Sequence, residues 1–187
     1  MLHDFQILGE SLTMHWLPRF HRGIAAGLSA LLLALPCAAQ SQTRSGVTLD
    51  VSPNTREQTI AFYTARGFSA TAIAPYAQAC VLSFSFRNDS RTALRFRLAD
   101  WRAEDGTRFR PVTEWETLWN NSGIPQAARI AFRWAQFPPD QEFEAGDWIM
   151  GMAALERRIA GPFRVIARYT DDKGEHELVS NTVSCGD

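Results

Sequence analysis

Histidine is almost missing from most of this chain. Of four histidines, His3, His15 and His21 fall in the first 39 residues, and only His176 lies beyond them. A zinc site built from histidines is thereby excluded within residues 40–187 of one chain. A Ser-His-Asp triad there would have to use His176. Also missing are a Gly-x-Ser-x-Gly elbow, a phosphate-cradling glycine loop and a dinucleotide fingerprint. Nor is there an apolar run of membrane length. Ile24–Leu35 has 12 residues, against roughly 20 for a spanning helix. No low-complexity tract, internal repeat or interdomain linker divides the chain.

That short run reads as the middle of an export leader covering residues 1–39. Arg19, His21 and Arg22 supply the basic part before it, and Pro36-Cys37-Ala38-Ala39 the small residues after it. Small side chains at −3 and −1, here Cys37 and Ala39, place a cut between Ala39 and Gln40. The pattern begins at Met14, an alternative start to Met1. A rival reading puts a lipid anchor on Cys37, although lipoprotein signals carry a small residue where this chain has Pro36. The expectation is a periplasmic or secreted protein with no transmembrane segment once the leader is gone.

Residues 40–187 have the length of one domain. They hold 17 basic and 18 acidic side chains. No global field therefore draws them to nucleic acid or to an anionic membrane. Their two cysteines, Cys80 and Cys185, are expected to pair in an oxidising compartment. The alternative is two buried free thiols.

The pattern then changes along the chain. Val47 to Val51 alternate as a short strand. Ser52-Pro53 and the Asn54…Glu57 spacing are overlapping helix starts, so one short N-terminal helix is expected over 53–66, ending at Gly67. Residues 68–78, broken by Pro75, carry no decided pattern. From Cys80 the period is two. Leu82, Phe84 and Phe86 alternate with Ser83, Ser85 and Arg87, then Leu94, Phe96 and Leu98 with Arg95 and Arg97. Ile130, Phe132 and Trp134 alternate with Arg129 and Arg133. Trp148–Leu155 is apolar, and Phe163 to Tyr169 alternate before a turn at Asp171-Asp172-Lys173-Gly174 and a return strand. Seven or eight short strands with turns between them predict a mainly β fold, an antiparallel sandwich.

Asp105-Gly106 is a two-residue hairpin signal that pairs Glu104 with Thr107. Counting outward, Trp101 faces Arg110, Arg97 faces Glu114 and Arg95 faces Glu116. Phe96, Leu98, Phe109 and Trp115 then share the apolar face.

The stretch from Cys80 to Cys185 carries four further marks. They are Phe86-Arg87-Asn88-Asp89-Ser90, Asp100-Trp101 before the Asp105-Gly106 turn, Glu144-Ala145-Gly146-Asp147, and Ser180-Asn181-Thr182-Val183. In these it resembles immunoglobulin-like β-sandwich domains of bacterial cell-envelope proteins. The resemblance implies a fold, and many such domains are adhesion, assembly or accessory modules. Two features depart from it. The helical segment before Cys80 is extra, and the expected bridge joins the first and last core strands.

Chemistry is sparse. The carboxylate pairs Glu104/Asp105, Asp171/Asp172 and Glu142/Glu144 sit at or near turns, where acids are solvated. His176 is expected opposite Tyr169, just after a turn. Met150 and Met152 share a strand face and could offer thioethers to Cu(I), with His176 the only obvious third ligand, but three such residues are most simply core filling and a strand residue. The tryptophans say more. The hairpin register sends Trp115 inward and Trp101 outward beside Arg110, and Trp134 follows an apolar face; Trp119 and Trp148 lie near strand or loop ends. The expectation is a non-catalytic binding or accessory domain without a cofactor. It would meet a protein partner through an aromatic–arginine face of Trp101, Arg110, Arg97 and Arg95. The alternatives are a carbohydrate-binding module, a copper-binding protein and a small hydrolase.

Overall fold

The computed structural model describes residues 41–120 and 122–186. The leader at 1–39, the alternative start at Met14, Cys37 and the Ala39–Gln40 cut lie outside the described residues. Among the described residues the fold is mainly β, with eleven strands and four α-helices. No helix among them is long and apolar enough to cross a membrane.

One antiparallel sheet is ordered β1 (Gln42–Arg44), β2 (Val47–Pro53), β3 (Val81–Asn88) and β7 (Trp148–Ala154). The second is ordered β10 (Gly174–Val179), β9 (Val165–Asp171), β4 (Leu94–Arg97) and β6 (Asp140–Phe143), with β5 (Arg102–Ala103) added to β9. A small pair, β8 (Pro162–Phe163) and β11 (Val183–Ser184), completes the strands. Period-two alternation explains the faces. Leu82, Phe84 and Phe86 of β3 are buried, as are Leu94 and Phe96 of β4 and Val165, Ala167 and Tyr169 of β9. Both large sheets contribute to one apolar cluster, in which Phe84, Phe86, Phe96, Trp101 and Phe137 meet at ring separations of 5.1–5.8 Å. Each such ring contributes roughly 1.5–3 kcal/mol by leaving water.

The helices form a second cluster against the opposite face of β3 and β7. The first helix, α1 (Arg56–Thr64), begins three residues after the expected start at 53, and its cap falls one residue after the Asn54 signal. Its capping box is Thr55 with Gln58, and Asn54 instead bonds Ser83. It closes at Gly67, as expected. Gly67 has φ +95°, and the bonds from Gly67 N–H to Thr64 and from Phe68 N–H to Tyr63 are those of a Schellman motif. The second, α2 (Ala70–Ala77), is capped by Ser69 and tolerates Pro75 inside it. Two more follow, α3 (Val112–Thr117) and α4 (Gln126–Ala135). Phe132 stands at the centre of this layer, 4.6–6.1 Å from the rings of Tyr63, Phe68, Tyr76 and Trp119. Buried Gln136 links its two tyrosines. It accepts from Tyr76 Oη at 3.0 Å and donates to Tyr63 Oη at 2.7 Å.

Four helices replace the single one expected, for identifiable reasons. The Arg/apolar alternation at 129–134 fits a helix as well as a strand. The helical period wins because it buries Ala128 and Phe132 on one side, while Ile130 and Trp134 face away. Pro111 cannot donate to a ladder, so the predicted hairpin stops there and α3 starts immediately after it. The Asp105-Gly106 loop is also one residue longer than a two-residue hairpin. Ala103 N–H donates to Thr107, Gly106 takes φ +85°, and Arg102 bridges Arg108. A 3-10 turn at Leu98–Asp100 changes the strand parity before it. The two effects turn Trp101 inward, the consequence of a one-residue slip.

Cys80, just before β3, is bonded to Cys185, just after β11, with Cα atoms 5.0 Å apart. The bond closes 105 residues of sequence, worth about 4–5 kcal/mol in the chain-entropy account. Reduction should lower the urea midpoint by a corresponding amount, and the Cys80→Ser, Cys185→Ser double variant should show the lower midpoint with no further response to reductant. Burial pushes the hydroxyls of Tyr63 and Tyr76 far above the ordinary tyrosine value. The fold favours their neutral form, so this contribution is fully present below the ordinary value near 10 and is lost progressively as pH rises from there towards the raised folded values. Absorbance at 295 nm should therefore show both tyrosines un-ionised at pH 11 in the folded protein and ionised there once it is unfolded.

Candidate functional site

The expected aromatic–arginine face does not exist as a unit. Trp101 is fully buried, its Nε1–H donating to the Arg168 carbonyl at 2.9 Å. Arg110 lies elsewhere, with its guanidinium 4.5 Å from the centre of the Trp115 ring and 3.8 Å from Glu114. Only Arg95 and Arg97 remain together, on the outer face of β4. They line a groove of about 430 Å³ with Asp100, Asp140, Arg168 and Glu175. Each of its arginines is matched by a carboxylate. Arg95 grips both oxygens of Asp140 at 3.1 and 2.8 Å, Arg97 meets Asp100 at 2.9 Å, and Arg168 meets Glu177 at 2.8 Å. The hydrogen bonds from Arg95 hold the Asp140 carboxyl below its usual range. Such exposed pairs add little stability, and they leave the groove without a free cation field.

The thioether and histidine candidates are also separated. Met150 and Met152 lie on β7, at the edge of one sheet. His176 lies on β10, at an edge of the other. It stacks on Tyr169 with centroids 5.1 Å apart, as the predicted pairing implies, and its Nε2 is 2.7 Å from Asp171 Oδ1. Ser90, in the same surface hollow, spends its hydroxyl on Asn88 Oδ1 at 2.6 Å. The geometry shows a His–Asp pair, with the Ser90 hydroxyl turned to Asn88 and not to the imidazole.

A different surface draws the unusual residues together. Trp134 is 85% exposed, Met150 62% and Trp148 60%, with Ile130 also open. Scattered exposed apolar residues are ordinary, but two largely exposed tryptophans with a methionine are not. Their placement follows from the packing. The helical turn that buries Phe132 points Trp134 outward. Gln136, two residues on, forms a parallel bridge with Met152, so Trp134 and Met150 stand two residues before the same bridged pair. Along β7, Trp148, Met150 and Met152 share the outer face, opposite Arg87, Ser85 and Ser83 of β3. The helices cover only Met152. Gly151 permits this crossing, because a Cβ there would stand 2.5 Å from Phe137 N.

Sequence reasoning assigned Trp134 to the interior and left Trp148 at a strand end. The missed signal was the Ala128–Phe132 spacing of four, which fixes the buried side of a helix and places Trp134 off it.

No protein-family model matches the chain, and no curated protein sequence matches it. The surface therefore has to be read from its own chemistry. It offers two indole faces, a polarisable thioether and the edge of a sheet.

Acrylamide quenching checks this distribution of tryptophans. Trp134→Phe and Trp148→Phe should each remove readily quenched emission, whereas Trp101→Phe and Trp119→Phe should remove shielded emission. Gly151→Ala should cost about 1–3 kcal/mol in a denaturant titration, the usual effect of overpacking a tight contact.

Proposed function

We propose that residues 40–187 are a non-catalytic binding or accessory module of the cell envelope, an immunoglobulin-like sandwich that captures a protein partner. Its working surface is Trp134, Ile130, Trp148 and Met150. The observation that carries this reading is the exposure of Trp134 and Trp148 beside an open strand edge. Tryptophan is enriched among residues that dominate binding energy, because it buries a large rigid area on contact. The Cys80–Cys185 bond suits an oxidising compartment outside the cytoplasm, and the leader pattern at 1–39 would deliver the chain there. The Ser90 hydroxyl beside His176 is engaged by Asn88, which supports a binding role over hydrolysis. A glycan is the alternative occupant, since an indole face also suits the C–H face of a sugar ring.

Crosslinking in the native host followed by mass spectrometry tests the proposal. The Trp134→Ser, Trp148→Ser double variant should lose the crosslinked partner roughly thirty-fold or more, as hot-spot residues do. An Arg95→Gln, Arg97→Gln variant should retain it. Undiminished capture by the tryptophan variant would overturn the assignment of the surface, and retention on insoluble polysaccharide would favour the glycan.

A further inference from the structure

The edge of β7 is covered in steps, and the covering stops short. Phe137 N–H donates to the Met152 carbonyl at 2.8 Å, and Arg110 N–H to the Ala154 carbonyl at 2.9 Å. On the other side of the strand, Asn88 N–H reaches the Asp147 carbonyl and Leu155 N–H the Cys80 carbonyl. Antiparallel pairing alternates these directions. Trp148, Met150, Met152 and Ala154 thus all turn their backbone groups to the free edge. The chain itself occupies the rungs at 152 and 154. Those at Trp148 and Met150 have no backbone partner among the described residues.

Exposed edges are ordinarily blunted by charge, proline or a bulge, because unpaired strand groups recruit other strands. This one is flanked by Trp148, Met150 and Trp134 instead. The turn leading into it, Glu144-Ala145-Gly146-Asp147, adds two carboxylates. Neither Glu144 nor Asp147 forms an ion pair among the described residues; Asp147 Oδ2 accepts only the Glu144 N–H, at 2.9 Å. The nearby Arg87 is engaged by Asp89 at 2.7 Å.

We propose that the open half of β7 accepts an extended peptide segment of a basic partner protein as an added strand. Its main chain completes the rungs at Trp148 and Met150. Apolar side chains at alternate positions lie against Trp148, Met150 and Trp134. An arginine or lysine sits over Trp148 toward Glu144 and Asp147, where ring and carboxylates both favour a cation. A second copy of the chain fits less well. Pairing two β7 edges about Ile149 brings each Gln136–Phe137 crossing onto the other's 144–147 turn.

This mode of capture rests on the partner-binding reading above, and the experiment separates the two. The probe is a fluorescein-labelled seven-residue peptide with arginine, valine, valine and arginine at positions 1, 3, 5 and 7 and threonine between them, so that valines and arginines share one face, titrated by anisotropy against the full chain. Three companions are a version N-methylated at alternate amides, one with glutamate for arginine, and one in scrambled order. The first two should bind at least ten-fold more weakly than the parent. Glu144→Gln with Asp147→Asn should weaken the arginine peptide about five-fold and flatten its salt dependence. In ¹⁵N-labelled protein, amide shifts should centre on 148–150, and Met150→Pro, which removes one edge N–H, should abolish them while the distant β9–β10 amides stay unchanged. No binding of the arginine peptide, or equal binding after N-methylation, would overturn strand addition. If Trp148→Ser weakens binding while N-methylation does not, strand addition falls and the surface assignment stands.

Discussion

The two residues Gln136 and Phe137 hold the molecule's halves in one frame. The Gln136 side chain joins the helical layer through Tyr63 and Tyr76. The next side chain, Phe137, is fully buried among the rings of the sheet core. Between them, the backbone is bonded to β7 through Met152. One dipeptide thereby sets the position of α4 relative to the sheets, and with it the outward direction of Trp134. Gly151 is the condition for this arrangement, since any side chain there would push the crossing off the strand. The buried amide is high-stakes in the usual sense. Fully satisfied, it specifies a unique packing; with one partner lost, it would strand polar groups in an aromatic interior.

The strands were legible wherever period two was undisturbed. Leu82, Phe84 and Phe86 announce the inner face of β3, and Tyr169 opposite His176 follows from the Asp171–Gly174 turn. The two cysteines were legible from compartment and count. The helical layer was not, because its signals are local and ambiguous. The residues at 129–134 satisfy both periods, and only the presence of a second apolar cluster decides between them. The hairpin failed for a sharper reason. An added loop residue and a 3-10 turn each change parity, and an alternating pattern has no memory of such shifts. That error sent Trp101 to the surface, and the strand period read at 129–134 concealed Trp134 in the core, so the site prediction failed through parity and period and not through the chemistry sought.

The arginines show a related division of labour. Sixteen of them in residues 40–187 look like a charged surface awaiting an anion. In the folded protein Arg95, Arg97, Arg102, Arg164 and Arg168 are tied to carboxylates on neighbouring strands or turns. The outer face of the second sheet is consequently a lattice of ion pairs. The apolar surface on the other sheet stands out against it.

The bond between Cys80 and Cys185 also has a consequence in time. During synthesis the first of the two thiols emerges just ahead of β3, and its partner follows 105 residues later. If the chain crosses a membrane before folding, β3 meets the oxidising side long before the sulfur that will secure it. The start of that strand must be kept from other thiols throughout this interval, and its covalent closure has to wait for the last residues of the chain.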